Sequence, residues 1–156
     1  MFNCENPEPT NKCEFISDGY FDLSLGDWEI TNGQIKENVI RPTRDFSLGI
    51  GERYVEIEGN SGSIKQTFTC PVGTSLHLSF QWSTCWWDAS VIIGGNVVKT
   101  TSGCFYEVGE SVSIDLGNAI CTGGPIDFVI NGTTVDGDPL QISSISLGKF
   151  FNTFRK

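Results

Sequence analysis

A single histidine, His77, stands in the 156 residues of this chain. A Ser-His-Asp or Cys-His centre therefore has one candidate base, and no partner for it is evident in the sequence. Positive charge is scarce too: 10 Lys and Arg stand against 19 Asp and Glu, for a net charge of −9 and a pI near 4.4. Phosphate binding needs a basic footprint, so nucleic acid is excluded as an expected partner. An anionic membrane surface is disfavoured on the same ground. No apolar run approaches a membrane span, so membrane insertion is not expected. There is no C-x-x-C, which argues against a zinc ribbon or a redox motif. No stretch shows the 3.6-residue period of an amphipathic helix. No apolar signal region follows Met1-Phe2-Asn3-Cys4, so secretion of this chain requires a signal already removed.

What is present is alternation with period two. Leu76, Leu78, Phe80 and Trp82 interleave with His77, Ser79, Gln81 and Ser83. Val55 and Ile57, Ile64 and Phe68, Val112 to Leu116, and Ile126 to Ile130 repeat the pattern. Each run predicts a strand with one apolar and one polar face. Gln66 falls on an inward parity, which predicts a buried, satisfied amide. Leu140 and Ile142 keep one parity while Ile145 and Leu147 keep the other, so Ser143-Ser144 predicts a β-bulge.

Turn chemistry separates the runs. Gly59-Asn60-Ser61-Gly62 reads as a hairpin turn, and Pro71-Val72-Gly73 joins the next two strands. Gly94-Gly95-Asn96 is a strong short hairpin signal. Asn131-Gly132 and Asp136-Gly137 mark further turns. The segment from Glu37 to Arg53 has no period and reads as a long surface loop, a common carrier of function. The organisation expected is an N-terminal arm over 1–14, one β-sandwich domain over 15–150, and a tail over 151–156. Its class is all-β: a disulfide-stapled sandwich of about eight to nine antiparallel strands.

Six dispersed cysteines predict disulfides: Cys4, Cys13, Cys70, Cys85, Cys104 and Cys121. Fifteen connectivities are open, and the sequence does not choose among them. Cys4–Cys13 as a short N-terminal loop and Cys85–Cys104 as a clasp across a hairpin are the expected bridges. Disulfides place the protein in an oxidising, extracellular setting.

The order of several motifs resembles galactose-binding-like jelly rolls. That family includes many carbohydrate-binding modules and the DUF642-type proteins of plant cell walls. The quoted runs are Asp18-Gly19-Tyr20-Phe21-Asp22 with Trp28, Tyr54-Val55-Glu56-Ile57-Glu58-Gly59, and Gly62-Ser63-Ile64-Lys65-Gln66-Thr67-Phe68. Pro71-x-Gly73 with Leu76 to Phe80, and Ile142-Ser143-Ser144-Ile145-Ser146-Leu147, complete the series. The resemblance implies a jelly roll whose sheet face or loop rim binds polysaccharide. It also implies a structural calcium site built from an opening acid and closing acids. Asp22 matches the opening acid. Ser143 and Ser144 stand where the family has carboxylates, and a hydroxyl is a poorer ligand for a hard cation. Asp136 and Asp138 are near enough in sequence to compensate.

Trp86-Trp87-Asp88 is the most unusual local feature. Adjacent residues of an extended chain point to opposite sides, so one indole packs inward and the other faces solvent or ligand. An indole face suits the C–H face of a sugar, and Asp88 would accept sugar hydroxyls. The alternative is that both are packing residues. Tyr54, Glu56, Lys65, Thr67, His77, Ser79 and Gln81 are expected on one outer sheet, either as a hydrogen-bonding sugar surface or as a solvated face. Trp28 reads as core. Arg41, Arg44 and Arg53 bracket the long loop, where an Arg would grip a carboxylate such as a uronic acid, or form ordinary surface ion pairs. Glu56 and Glu58 share a strand face about 7 Å apart, within the inverting-glycosidase range. A bare strand face supplies neither a deep site nor the raised pKa such a pair needs. Asn131-Gly132-Thr133 is the one glycosylation sequon.

These readings converge on a secreted, non-catalytic, lectin-like module for a glycan or polysaccharide. It needs no cofactor, and calcium would be structural. The competing expectation is a protein-interaction or self-associating subunit of an extracellular coat, fibre or adhesion assembly.

Overall fold

The computed structural model describes residues 14–19, 21, 27–37, 53–85, 87–101, 110–134 and 138–149. Ten strands make up the described chain, one or two more than expected: β1 (Glu29–Thr31), β2 (Gly33–Glu37), β3 (Arg53–Ile57), β4 (Ser61–Thr69), β5 (Leu76–Cys85), β6 (Asp88–Ile93), β7 (Asn96–Thr101), β8 (Glu110–Gly117), β9 (Pro125–Thr133) and β10 (Asp138–Lys149). They form two five-stranded antiparallel sheets, in the orders β1-β4-β9-β6-β7 and β2-β3-β10-β5-β8. The first is here called the front sheet and the second the back sheet.

The alternation read from the sequence builds the core. Leu76, Leu78, Phe80 and Trp82 of β5 and Val55 and Ile57 of β3 point inward from the back sheet and are buried. Ile64, Phe68, Ile126, Phe128 and Ile130 meet them from the front sheet. Trp28 is core as expected, its ring 5.9 Å from Phe128 and its Nε1 donating to the Asp18 carbonyl at 2.8 Å.

Two turn readings need correction. Residues 59–62 do not close a hairpin, because β3 and β4 lie in different sheets. That turn carries the chain across the sandwich, as does Pro71-Val72-Gly73 between β4 and β5. Local sequence specifies a reversal, not which sheet receives the next strand. Asn131-Gly132 is no turn either: it lies within β9, Gly132 facing both Gly62 and Ala89. Gly is needed there for space, since a Cβ would stand 2.8 Å from Trp87 Cε3. The β6–β7 hairpin over Gly94-Gly95 forms as expected, with both glycines at positive φ.

The expected bulge is present. Between Ser143↔Gln81 and Ser146↔Ser79, β10 spends one residue more than β5, and Ser144 takes φ 57°. The parity change lets Ile142 and Ile145 both enter the core. Beside this half of β10 runs the segment 14–19. Glu14 bridges to Gly148, Phe15 N donates to the Leu147 carbonyl, and Ile145 N donates to the Gly19 carbonyl at 2.9 Å.

Cys70–Cys121 is a disulfide, consistent with an oxidising, extracellular environment. Cys4, Cys13, Cys104 and the Cys85 side chain, and with them the two expected bridges Cys4–Cys13 and Cys85–Cys104, lie outside the described residues.

Candidate functional site

The outward parity of the back sheet gathers a continuous polar face. Cross-strand register places Gln34 opposite Glu56, Glu56 opposite Gln141, and Gln141 opposite Ser83. A second row runs through Ser143, Gln81 and Ser111, and a third through Ser146, Ser79 and Ser113. His77 lies opposite Gly148 and Asp115 in the fourth.

The centre of this face is covered. Glu56 is 8% exposed, Ser83 1% and Ser143 0%, although all three share the outward parity. Their burial cannot come from the core, which lies on the other side of the sheet. Other groups therefore cover them from the outer side, and their polar atoms are already held in place. Lys36 Nζ donates to Glu56 Oε2 at 2.6 Å, and Gln141 Nε2 donates to Glu56 Oε1 at 3.1 Å. Ser143 Oγ lies 3.4 Å from Gln81 Oε1.

Burial pushes the Glu56 carboxyl upward, but the hydrogen bonds from Lys36 and Gln141 outweigh it and hold the pKa below the ordinary value. The Glu56 hydrogen bond holds the Lys36 ammonium above its own. Glu56 is thus a fixed carboxylate. It lacks the raised pKa of a glycosidase's general acid, so that role is not Glu56's.

His77 does have partners, which the sequence did not reveal. Its Nδ1 is 2.6 Å from Asp115 Oδ1 and its Nε2 is 2.9 Å from Ser113 Oγ. Ser113 and Asp115 lie two residues apart on β8, directly across from β5, so strand pairing brings the three together. The connectivity is that of a Ser-His-Asp centre, but the Asp115 side chain is 66% exposed. A hydrolytic triad buries its acid so that the imidazolium is stabilised in low dielectric. An exposed array offers hydrogen bonds to a ligand and little stabilisation of developing charge.

The remaining expected residues scatter. Tyr54 belongs to β3 of the back sheet. Lys65 and Thr67 belong to the front sheet, contrary to a single polar face, because the turn at 58–60 switches sheets before β4. Thr67 Oγ1 donates to Asp127 Oδ1 at 2.7 Å, and Lys65 Nζ is 3.7 Å from Asp127 Oδ2. Trp87 is 0% exposed and packs over Gly132, so its indole is a core group and offers no stacking surface. Asp88 is exposed at the start of β6. Arg53 Nε donates to the Phe21 carbonyl at 2.9 Å and so ties the start of β3 to the N-terminal segment. Asn131 points outward from the front sheet and is half-buried between Ser63 and Ser90. Trp86, Arg41, Arg44, Asp22 and Asp136 lie outside the described residues, as does the Asp138 side chain. Among the described residues no three His, Cys, Asp or Glu side chains cluster as a metal site.

Sequence reasoning missed a second feature. A groove of about 530 Å³ opens at the start of β1, between the segment 14–19 and β4. Phe15, Asp27 and Glu29 line it together with Lys65 and Thr67.

No protein-family model and no characterised protein matches the sequence. The fold does match solved structures. The carbohydrate-binding module TmCBM61, solved in complex with β-1,4-galactotriose, superposes with a TM-score of 0.69 at 14% identity, covering 88% of this chain and 99% of that one. The Stig cyclase Fisc from Fischerella sp. TAU superposes at 0.63 with 8% identity, over 90% and 98% of the two chains. Tailspike protein 4 of bacteriophage CBA120 gives 0.61 at 14% identity, with 88% of this chain matching 21% of that one. At these identities the likeness is one of fold. The chain is structurally similar to carbohydrate-binding modules of the jelly-roll type, and the same fold also serves enzymes.

Proposed function

We propose that this chain is a non-catalytic carbohydrate-binding module of an extracellular setting, and that a neutral glycan lies across the outer face of the back sheet. The observation that carries the reading is the set of cross-strand polar rows on this face, with the half-buried amides of Gln81 and Gln141 at its centre. Amides and hydroxyls held in rows offer both donors and acceptors to sugar hydroxyls, with little ordering cost on binding. The fold likeness to a galactotriose-binding module supports the same reading. Trp86 is the remaining candidate for an aromatic platform, now that Trp87 is assigned to the core. The reading requires no cofactor, and calcium at Asp22, Asp136 and Asp138 would serve the fold alone.

A glycan array followed by calorimetry tests this. The Gln81→Ala/Gln141→Ala double variant is expected to lose about tenfold or more in affinity with an unchanged circular dichroism spectrum, each lost hydrogen bond being worth about 1 kcal/mol. Wild-type affinity in that variant would remove the face from the reading.

A second reading, a protein-interaction subunit, draws on one observation. Val97, Ile92 and Val129 form an apolar cross-strand row on the otherwise polar outer face of the front sheet, with Val97 59% exposed. A concentration-dependent oligomer in light scattering, with no glycan bound, would favour it.

A further inference from the structure

The groove beside β1 is a second site with its own chemistry. It exists because β1 is short. β1 pairs with β4 only from Ser63 to Lys65, so β4 continues to Thr69 without β1 beside it. The segment 14–19 faces that gap, held beside β10 by the Glu14–Gly148 bridge at one end and by the Ile145 N to Gly19 carbonyl hydrogen bond at the other. Gln66 reaches across to lock it. Its Oε1 accepts from Ser17 N at 2.7 Å and its Nε2 donates to the Ser17 carbonyl at 3.0 Å. Gln66 is 5% exposed while Ser17 is exposed, so this two-point clamp is part-buried and holds the groove wall in place.

The two walls differ in kind. One carries Phe15, whose ring is braced by Phe68 at 6.1 Å. The other carries the exposed carboxylates of Asp27 and Glu29. Asp27 accepts a hydrogen bond from Ser17 Oγ, which fixes its orientation. Among the described residues the Glu29 carboxylate has no hydrogen-bond or ion-pair partner. Lys65 and Thr67 are drawn toward Asp127. The groove thus pairs an apolar ring with two carboxylate acceptors, in a volume of about 530 Å³, inside the range of small-ligand sites.

We propose that this groove binds a single sugar unit through a vicinal diol. The ring C–H face would lie on Phe15, and adjacent hydroxyls would donate to Glu29 and Asp27. Carboxylate acceptors make hydrogen bonds about twice as strong as neutral ones, which suits a ligand rich in donors. The same carboxylates repel phosphates and uronic acids. The inference rests on the carbohydrate-binding reading and adds to it a site on the other sheet.

The test is a titration of the full, isotope-labelled chain with neutral galacto-, gluco-, xylo- and manno-oligosaccharides, followed by amide NMR. Two separate sets of shifts are expected. One comprises groove amides such as Ser17, Glu29 and Thr67; the other comprises back-sheet amides such as Gln81 and Gln141. Glu29→Gln should weaken the groove set about tenfold and leave the back-sheet set unchanged. Phe15→Ala should do the same. Because Phe15 packs on Phe68, Glu29→Gln is the variant that decides if Phe15→Ala unfolds. Back-sheet shifts without groove shifts would overturn the groove proposal and leave the module reading standing. No shift at either site with any of these sugars would overturn both. Groove shifts with lysine or spermidine and none with sugars would show a cation site and overturn the sugar assignment.

Discussion

Glu56 illustrates how one side chain on a strand can be judged only by its neighbours. On the sequence it shares a face with Glu58 and invites a two-carboxylate reading. In the fold it is covered, yet Lys36 and Gln141 keep it charged. A carboxyl with a lowered pKa adds stability above its ordinary value of 4.5, and that stability is lost as pH falls through the lowered value. Glu56→Gln should therefore cost about 1 kcal/mol at pH 7, a modest figure because the Lys36 side chain is 37% exposed. Melting curves of the two proteins should converge in acid, where Glu56 is protonated; a gap that persists at pH 2 would contradict this. Trp87 makes the opposite case. Trp87→Ala should cost about 3–5 kcal/mol by opening a cavity over Gly132. Sugar affinity of the folded fraction should stay at the wild-type level, read by denaturant melts and calorimetry.

Among the elements, β10 bears most of the architecture. It lies between β3 and β5, and its bulge turns Ile142 and Ile145 into the same core. Ser144 holds φ 57° there, a conformation that costs a non-glycine residue about 1–2 kcal/mol. Ser144→Gly should raise the melting temperature by a few degrees, whereas Ser144→Val should lower it. Equal melting temperatures in the three proteins would mean the bulge has relaxed. The strands from β3 onward, the bulge, the Gly94-Gly95 hairpin and the buried Gln66 were legible in the sequence, because parity and turn chemistry are local, whereas the short β1 and β2 carry no such alternation. The sheet switch at residues 58–60 was not. A turn of the same composition can close a hairpin or cross the sandwich, and only the packing of Ile57 and Ile64 against the rest decides.

For the whole molecule, Cys70–Cys121 closes a loop with a sequence separation of 51 between β4 and β9. Replacing both cysteines by alanine should destabilise by about 4 kcal/mol on the loop-closure argument, measured by denaturant melts. A loss below 1 kcal/mol would mean the packed sandwich alone holds these ends together.

Composition and periodicity by themselves determined the all-β class, the inward and outward residues of the strands with clear alternation and the improbability of a nucleic-acid partner. These follow from side-chain transfer preferences and net charge, which need no long-range information. Tertiary structure alone decided which polar residues share a face. It separated Lys65 from Glu56, withdrew Trp87 into the core, joined His77 to Ser113 and Asp115, and left a groove where β1 ends early. The physical reason is that sheet membership depends on contacts far apart in sequence, such as Gln141 with Glu56 or Gln66 with Ser17, whose closure no local pattern encodes.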